Sequence, residues 1–217
     1  SAQNTHAVTA VHHVPLKHIR NQIAAVFDDL PVAAVKIGML GSAAIVQLVA
    51  SEMRQRKPAW LVLDPVMIAS SGAHLLDAAA LDVLRDELIP LADVLTPNIP
   101  EAEALLGHAL HGASERRAAG PALIALGARS VLLKGGHGTG HRVIDRFFDA
   151  NGVLELPHAR LPREGHGTGC TLAAAVAAEL ARGRQPRLAV RNAVGYVHNA
   201  LVAGYRIGGS PVFVLKH

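Results

Sequence analysis

The strongest chemical signal in the 217-residue chain is a glycine-rich turn, GHGTGCT at 165–171, which leads into an apolar, alanine-rich stretch. Glycines let consecutive backbone N–H groups point the same way, and a helix N-terminus adds partial positive charge. Such a turn favours the binding of an anion. The alternative is a plain tight turn.

Cys170 follows this turn and is the only cysteine of the chain. A thiol in the first turn of a helix has a lowered pKa, which favours the thiolate, so Cys170 could act as a base or a nucleophile. The alternative is a small buried hydrophobic residue, which is a common environment for a lone cysteine. A single cysteine excludes an internal disulfide and a cysteine-rich zinc site, and it is typical of a reducing compartment.

Polar residues also follow four short apolar segments that read as strands. Because ligands of an open parallel sheet bind beyond the carboxyl ends of its strands, these positions predict a single cleft. They are Lys36 with Gly38, Asp64 with Pro65, Thr96-Pro97-Asn98, and Lys134-Gly135-Gly136.

Asn98 and Glu101 form a possible metal-binding element, because Pro97 can start a turn or helix that places both side chains at its entrance. Oxygen ligands suit magnesium, often through water. The alternative is that Glu101 is only a favourable negative charge in a first helical turn. A catalytic zinc site is disfavoured, because none of the thirteen histidines matches the spacing of a zinc-protease helix.

The pentapeptide GHGTG occurs twice, at 136–140 and at 165–169. Only the second copy is followed by a helix-like pattern. The first copy leads into a presumed hairpin, so we predict that it forms a loop over the cleft.

The elements that must position these residues alternate along the chain. Apolar spacing predicts helices near 16–30, 42–53, 76–88, 101–106, 114–126, 171–182 and 187–203. Strands are predicted at 33–39, 60–63, 94–95 and 130–133, with a hairpin at 142–148 and 152–156. This alternation predicts an α/β fold with a mostly parallel sheet covered on both faces, in one domain over residues 1–217.

Composition narrows the class of protein. Half of the residues are hydrophobic, which argues against global disorder, and the apolar, uncharged stretch at 37–51 is shorter than the roughly 20 residues of a spanning helix. We therefore expect no membrane association. The net charge of +4 comes from scattered basic residues, and aromatic residues make up only 3%. A nucleic-acid partner is not expected without a basic stripe or stacking aromatics.

Together these residues resemble the hydroxymethylpyrimidine/phosphomethylpyrimidine kinases of thiamine biosynthesis, which have a ribokinase-like fold. The matching segments occur in the family's order and cover nearly the whole chain. They are QNT at 3–5, KIGML at 36–40, LDPVM at 63–67, SSG at 70–72, TPN at 96–98 with EA at 101–102, KGGH at 134–137, and HGTGCT at 166–171.

The resemblance implies a three-layer αβα fold and an ATP- and Mg²⁺-dependent phosphotransferase. Such an enzyme phosphorylates 4-amino-5-hydroxymethyl-2-methylpyrimidine and then its monophosphate. By resemblance, Gln3 hydrogen-bonds the pyrimidine, and Met39 and Val66 form apolar walls around its ring.

The remaining roles also derive from the resemblance. Asn98 and Glu101 would organise magnesium and the phosphates together with Asp64, and the magnesium contact of Glu101 could run through water. Lys134 would contact the transferring phosphoryl group or its nucleotide. Gly167, Thr168 and Gly169 would form an anion hole together with Cys170, which would also be the catalytic base.

Members of this family begin with a strand and a glycine-rich segment carrying an aspartate, whereas the match here begins at Gln3. We expect that segment to precede the given sequence, and we expect a cytoplasmic homodimer. Two other functions remain open. One is a pyridoxal or pyridoxine kinase of the same fold, and the other is a non-catalytic protein that has kept ligand binding.

Overall fold

The computed structural model describes residues 2–4, 7–67, 76, 78–138, 140–163, 165–209 and 212–217. The chain begins with a small antiparallel hairpin of β1 (Ala2–Gln3) and β2 (Val8–Ala10). The SSG segment at 70–72 lies outside the described residues.

A six-stranded sheet forms the centre of the molecule. Its first four strands are mutually parallel, and the last two form an antiparallel hairpin at one edge. In spatial order the strands are β3 (Val35–Ile37), β4 (Leu61–Leu63), β5 (Val94–Leu95), β6 (Val131–Leu133), β7 (Arg142–Asp149) and β8 (Gly152–Ala159).

Seven α-helices connect and cover these strands in the described part of the chain. They are α1 (Leu16–Asp29), α2 (Ala43–Arg56), α3 (Ala78–Val83), α4 (Ile99–Leu106), α5 (Ala113–Ala125), α6 (Thr168–Ala181) and α7 (Pro186–Val202). The helix predicted over 76–88 differs in detail, because α3 continues into a π-helical turn over Leu84–Leu88. A 3₁₀ turn with Pro90 at its start then ends the segment.

Two buried clusters lie on opposite faces of the sheet, as period-two alternation requires. Leu61 and Leu63 pack with α2, α4 and α5 on one face, whereas Val62 packs with α6 and α7 on the other. The same alternation continues in β5 and β6. The prediction of a mostly parallel sheet covered on both faces is therefore confirmed.

A third, small sheet lies beside the glycine-rich turn and was not predicted. β9 (Gly165–His166) pairs in parallel with β11 (Phe213–Val214), and β11 pairs with β10 (Tyr205–Arg206). The entry to α6 is thus tied to the C-terminal segment. No helix among the described residues is long and apolar enough to cross a membrane.

Candidate active site

The strand register brings the predicted polar positions to one edge of the sheet. Ile37 pairs with Leu63, and Leu63 pairs with Leu95, so β3, β4 and β5 end at a common level. Beyond the strands, Asn98 and Lys134 form an isolated parallel bridge. Because Leu63 and Leu133 face the α2 side, the next residues, Asp64 and Lys134, turn toward α6.

Four ionisable side chains meet there and form what we call the charged cluster: Lys36, Asp64, Glu101 and Lys134. Lys134 Nζ lies 2.9 Å from Asp64 Oδ1 and 3.6 Å from Glu101 Oε2. Lys36 Nζ lies 3.7 Å from the other Asp64 oxygen, Oδ2. Asp64 is only 1% exposed, so a single buried carboxylate lies between two ammonium groups.

A capping box holds Glu101 in place at the start of α4. The Asn98 side chain accepts a hydrogen bond from Glu101 N at 2.8 Å, and the Glu101 carboxylate accepts one from Asn98 N at 2.7 Å. This reciprocal pair satisfies two backbone donors that the helix end leaves free. The Asn98 side chain therefore positions Glu101, and Glu101 reaches the cluster through Lys134.

Burial and charge oppose each other in this cluster. Burial raises the pKa of Glu101, although the Lys134 ammonium partly offsets the effect. Burial by itself would lower the pKa of Lys134, but the charges of Glu101 and Asp64 outweigh it and raise that pKa. Lys134 is thus kept positively charged in a position that excludes most water.

The second GHGTG copy, which we call the glycine turn (165–169), opens α6 as predicted. Gly167 precedes the helix with φ of +77°, a left-handed conformation that other residues rarely adopt. No side chain in the described part of the chain caps this helix end. The first-turn N–H groups are therefore available to an anion. Gly169 also lies close to Lys134, because a Cβ built there would be 3.2 Å from Lys134 Nζ.

Cys170 lies in the first turn of α6 and is exposed. The prediction of a lowered thiol pKa is wrong: burial of the sulfur atom raises the pKa of Cys170, and the negative charge of Asp64 raises it further. Lys36 and Lys134 act in the opposite direction without reversing the shift. The helix N-terminus alone suggested the wrong sign, because the neighbouring carboxylate could not be inferred from local sequence.

The first GHGTG copy, which we call the glycine loop (136–140), lies between Lys134 and β7. The Arg160 guanidinium donates to the carbonyl oxygens of Gly136, Gly138 and Gly140 at 2.7, 2.7 and 2.8 Å. Thr139 lies outside the described residues. The loop leads into the predicted hairpin of β7 and β8, whereas its position over the cleft stays a prediction.

Sequence reasoning missed two other side chains that support this loop. Asp145 Oδ1 accepts a hydrogen bond from Gly135 N at 2.7 Å, and His158 Nε2 lies 3.1 Å from Asp145 Oδ2. Arg160 and Asp145 could not be assigned from local sequence, because both lie ten or more residues away from the loop positions they bind.

The predicted pyrimidine contacts lie apart from these hydrogen bonds. Gln3 is exposed on the β1–β2 hairpin, and Met39 is 37% exposed after β3. Val66 is half-buried, and its N–H donates to the Asp64 carbonyl at 2.8 Å. Among the described residues, no hydrogen bond or ion pair joins Gln3 or Met39 to the charged cluster, so their roles remain expectations.

The carboxylate oxygens near Glu101 fit a magnesium ion whose other ligands are bound phosphates and water. Within the described residues, no group of three or more His, Cys, Asp or Glu side chains could hold a metal ion on its own. Asp64 Oδ2 is buried without a hydrogen-bond partner. The Glu101 carboxylate lies 3.6 Å from the Lys134 ammonium, which also contacts Asp64. One or two carboxylates completed by substrate phosphates and water are a common environment for Mg²⁺.

Comparison with known proteins agrees with this arrangement. A family model described as phosphomethylpyrimidine kinase matches residues 1–214. The hydroxymethylpyrimidine/phosphomethylpyrimidine kinase of Haemophilus influenzae is 43% identical over 96% of this chain and 79% of its own length. The thiamine biosynthesis bifunctional protein ThiED of Geobacter sulfurreducens is 42% identical, and the chain spans only 43% of it.

Solved structures show the same fold. A phosphomethylpyrimidine kinase from Clostridium difficile matches with a TM-score of 0.80 at 39% identity, over 92% of this chain and 82% of that one. A Bacillus subtilis pyridoxal kinase in complex with ADP matches with a TM-score of 0.87 at 31% identity, over 94% and 77%. The predicted ribokinase-like α/β fold is confirmed. The matching family model and the full-length kinase relatives show that this chain belongs to the phosphomethylpyrimidine kinase family.

Proposed function

We propose that this chain transfers the γ-phosphoryl group of ATP to 4-amino-5-hydroxymethyl-2-methylpyrimidine and then to the resulting monophosphate. The observation that carries this proposal is the meeting of Lys134, the open amides of the glycine turn and the Cys170 thiol at one edge of the sheet. The names of the relatives supply the acceptor, since the Haemophilus enzyme is named for both pyrimidine reactions.

The geometry suits phosphoryl transfer because that reaction depends on positioning and on neutralising charge. The N–H groups at the start of α6 would bind oxygens of the phosphoryl group in flight. Lys134 would add a fixed positive charge beside them, held against Gly169 by Asp64 and Glu101. These donors are arranged before the substrate arrives, which is the main source of electrostatic stabilisation in such sites.

Cys170 would accept the proton of the substrate hydroxymethyl group in the first reaction. Cys170 is exposed in the first turn of α6, next to the proposed anion hole, where an acceptor oxygen could approach the phosphorus atom. Because its pKa is raised, the thiol is mostly protonated at neutral pH. It would therefore act as a base only through its small thiolate fraction, which takes the alcohol proton as the oxygen attacks the γ-phosphorus.

Glu101, positioned by Asn98, and Asp64 would hold Mg²⁺ together with the nucleotide phosphates. Magnesium would neutralise charge on those phosphates. Gln3, Met39 and Val66 would hold the pyrimidine on the β3–β4 side of the cluster. We further propose that residues 1–217 act as one kinase domain within a cytoplasmic homodimer.

Pyridoxal phosphorylation is the second candidate, because the Bacillus subtilis pyridoxal kinase structure matches with a higher TM-score than the Clostridium enzyme, 0.87 against 0.80. By sequence identity, however, the pyridoxal kinase is less similar to this chain, at 31%, than the Clostridium enzyme, at 39%. We favour the pyrimidine, because the backbone fold is shared by both groups and side chains decide the acceptor.

Parallel assays of the purified protein with Mg²⁺-ATP test the proposal. The acceptors are the hydroxymethylpyrimidine, its monophosphate and pyridoxal. For each acceptor, the rate of ADP release and the mass of the product are measured. We expect turnover on both pyrimidines. Activity on pyridoxal alone would replace the proposed acceptor, and nucleotide binding without turnover on any acceptor would indicate a non-catalytic protein.

A further inference from the structure

The two lysines of the charged cluster differ in how fully they are engaged. Lys134 has a hydrogen bond to Asp64 at 2.9 Å and a second carboxylate, Glu101, at 3.6 Å. Among the described residues, Lys36 forms an ion pair only with Asp64, at 3.7 Å, and its side chain is 23% exposed compared with 13% for Lys134. The Lys36 ammonium thus keeps donors for an incoming anion, whereas Lys134 is held by protein carboxylates.

The chain makes room for the Lys36 ammonium at Gly38. A Cβ built on Gly38 would lie 2.6 Å from Lys36 Nζ, which is closer than real Cβ atoms approach other groups. The φ angle of Gly38 is not in the left-handed region, so its backbone does not require glycine. The missing side chain therefore matters here for space, and it leaves the ammonium at the carboxyl end of β3.

Asp64 separates a donor side from an acceptor side. Glu101, Lys134 and the glycine loop lie on the β5–β6 side, where the nucleotide phosphates are proposed to bind. Lys36 lies on the β3–β4 side, with Met39 three residues after it and Val66 two residues after Asp64. Cys170 lies near both lysines, and Lys36 lowers its pKa more than Lys134 does.

We propose that Lys36 binds the phosphate group that the acceptor already carries in the second phosphorylation, and that it thereby determines whether the enzyme can complete that step. This inference rests on the proposed function, because it concerns the same site and its second substrate. It assigns Lys36 a role in specificity that neither the hydroxymethyl reaction nor the nucleotide requires.

The second step differs chemically from the first. An oxygen of the pyrimidine monophosphate forms a bond to the γ-phosphorus of ATP, the bond from that phosphorus to the β-phosphate oxygen breaks, and ADP leaves with the electron pair. The acceptor is already an anion, so charge repulsion replaces proton removal as the main obstacle. A cation on the acceptor side reduces that repulsion, and the first substrate, a neutral alcohol, gains far less from it.

Lys36→Met tests the proposal, because methionine keeps an unbranched side chain and removes the charge. The readout is the ratio of kcat/KM for the monophosphate to kcat/KM for the hydroxymethylpyrimidine, measured at saturating Mg²⁺-ATP. We expect this ratio to fall by about tenfold or more, as for the loss of a charged hydrogen bond to phosphate. An unchanged ratio, or an equal loss in both reactions, would overturn the proposal.

Direct binding provides a readout that does not need turnover. In a Cys170→Ala background, calorimetry should show the monophosphate binding about tenfold more weakly after Lys36→Met, with the affinity for the alcohol changed much less. Equal weakening for both ligands, or none for the monophosphate, would contradict a phosphate contact.

Gly38→Ala should lower the ratio in the same direction but by less than Lys36→Met, because the new methyl group forces the flexible end of the Lys36 side chain to shift. Gly195→Ala is the matched control, since this exposed α7 glycine has nothing within 4 Å of a built Cβ and an ordinary φ. If Gly38→Ala and Gly195→Ala give the same ratio as the wild type, Lys36 does not act from this position.

The two proposals fail in different ways. A wild-type protein that phosphorylates neither pyrimidine would refute the proposed function. A wild-type protein that phosphorylates both, with a ratio insensitive to Lys36, would refute only the role of Lys36.

Discussion

The glycine loop and the glycine turn have the same five residues, GHGTG, yet they present opposite backbone polarity. In the glycine loop, three carbonyl oxygens face the Arg160 guanidinium. In the glycine turn, Gly167 starts a helix whose first N–H groups carry no side-chain cap in the described structure. One copy therefore holds a cation, and the other is suited to an anion.

The difference between the copies comes from the element on the C-terminal side of each. The glycine turn leads into residues 171–177, which are apolar except for Thr171 and continue as a helix, so its amides are left free at a helix end. The glycine loop leads into β7, whose pairing with β8 brings Arg160 close to the loop carbonyls. A glycine-rich pentapeptide thus takes its function from the adjoining element, and substitutions around each copy test this contrast.

Cys170→Ala should slow the reaction more than any other substitution, because it removes the proposed base beside the glycine turn. We expect transfer to the hydroxymethylpyrimidine to slow by about 10²-fold or more, while the nucleotide still binds. Steady-state kinetics and calorimetry with an ATP analogue measure the two quantities. Turnover near the wild-type rate would remove Cys170 from the base role.

Lys134→Ala tests the residue that comes just before the glycine loop in the chain and lies next to Gly169 of the glycine turn. We expect a loss in kcat of about tenfold or more, because a fixed positive charge beside the transferring group disappears. Glu101 and Asp64 would also lose their shared partner, so circular dichroism and thermal unfolding should accompany the kinetics. Unchanged kinetics in a folded variant would demote Lys134 to a structural residue.

The pH dependence of the first phosphorylation should report the thiol. A base works when deprotonated, and burial with Asp64 raises the pKa of Cys170, so the rate should rise with pH and level off only above the ordinary thiol range. Below that plateau the slope approaches about tenfold per pH unit. A flat profile between about pH 6 and pH 8 would show that Cys170 does not supply the base.

A pair of glycine substitutions compares the backbones of the two copies. Gly167→Ala places a side chain at a φ of +77°, which costs about 1–2 kcal/mol and should lower Tm by roughly 2–8 °C. Gly136→Ala has an ordinary φ and open space around the built Cβ, so Tm should stay nearly unchanged. Equal shifts in differential scanning fluorimetry would show that the left-handed φ of Gly167 adds no strain beyond that of Gly136.

Arg160→Met should affect the chemistry least. It removes three hydrogen bonds from the glycine loop without touching the glycine turn. We expect kcat to change by less than about threefold and the KM for ATP to rise severalfold. The reason is that the loop lies on the β5–β6 side of the charged cluster, where we propose that the nucleotide phosphates bind. A large loss in kcat with KM unchanged would show instead that the loop stabilises the transition state.

Much of the fold could be predicted from sequence because period-two and helical spacing are local properties. The strands predicted at 94–95 and 130–133 and the start of the helix predicted near 42–53 agree closely with the structure. The π-helical turn within 84–88 and the small sheet around β9 were missed, since neither has a distinct local pattern.

The candidate site was only partly predictable. Position after a strand identified Asp64 and Lys134, because parallel strands end together. The sign of the Cys170 pKa shift was wrong, because it depends first on partial burial of the thiol and then on a carboxylate, Asp64, more than a hundred residues earlier in the chain. The unequal engagement of Lys36 and Lys134 likewise depends on distances that spacing does not contain.

The single cysteine of the chain also has a practical consequence for labelling. Because Cys170 is exposed and no other thiol is present, a thiol-specific alkylating reagent can add at one position only, and that position borders the anion hole. Its raised pKa makes the reaction slow for neutral reagents, whereas a reagent bearing an anionic group gains from the adjacent lysines. The rate at which a single adduct accumulates in mass spectrometry would then report how far a bound ligand protects the site.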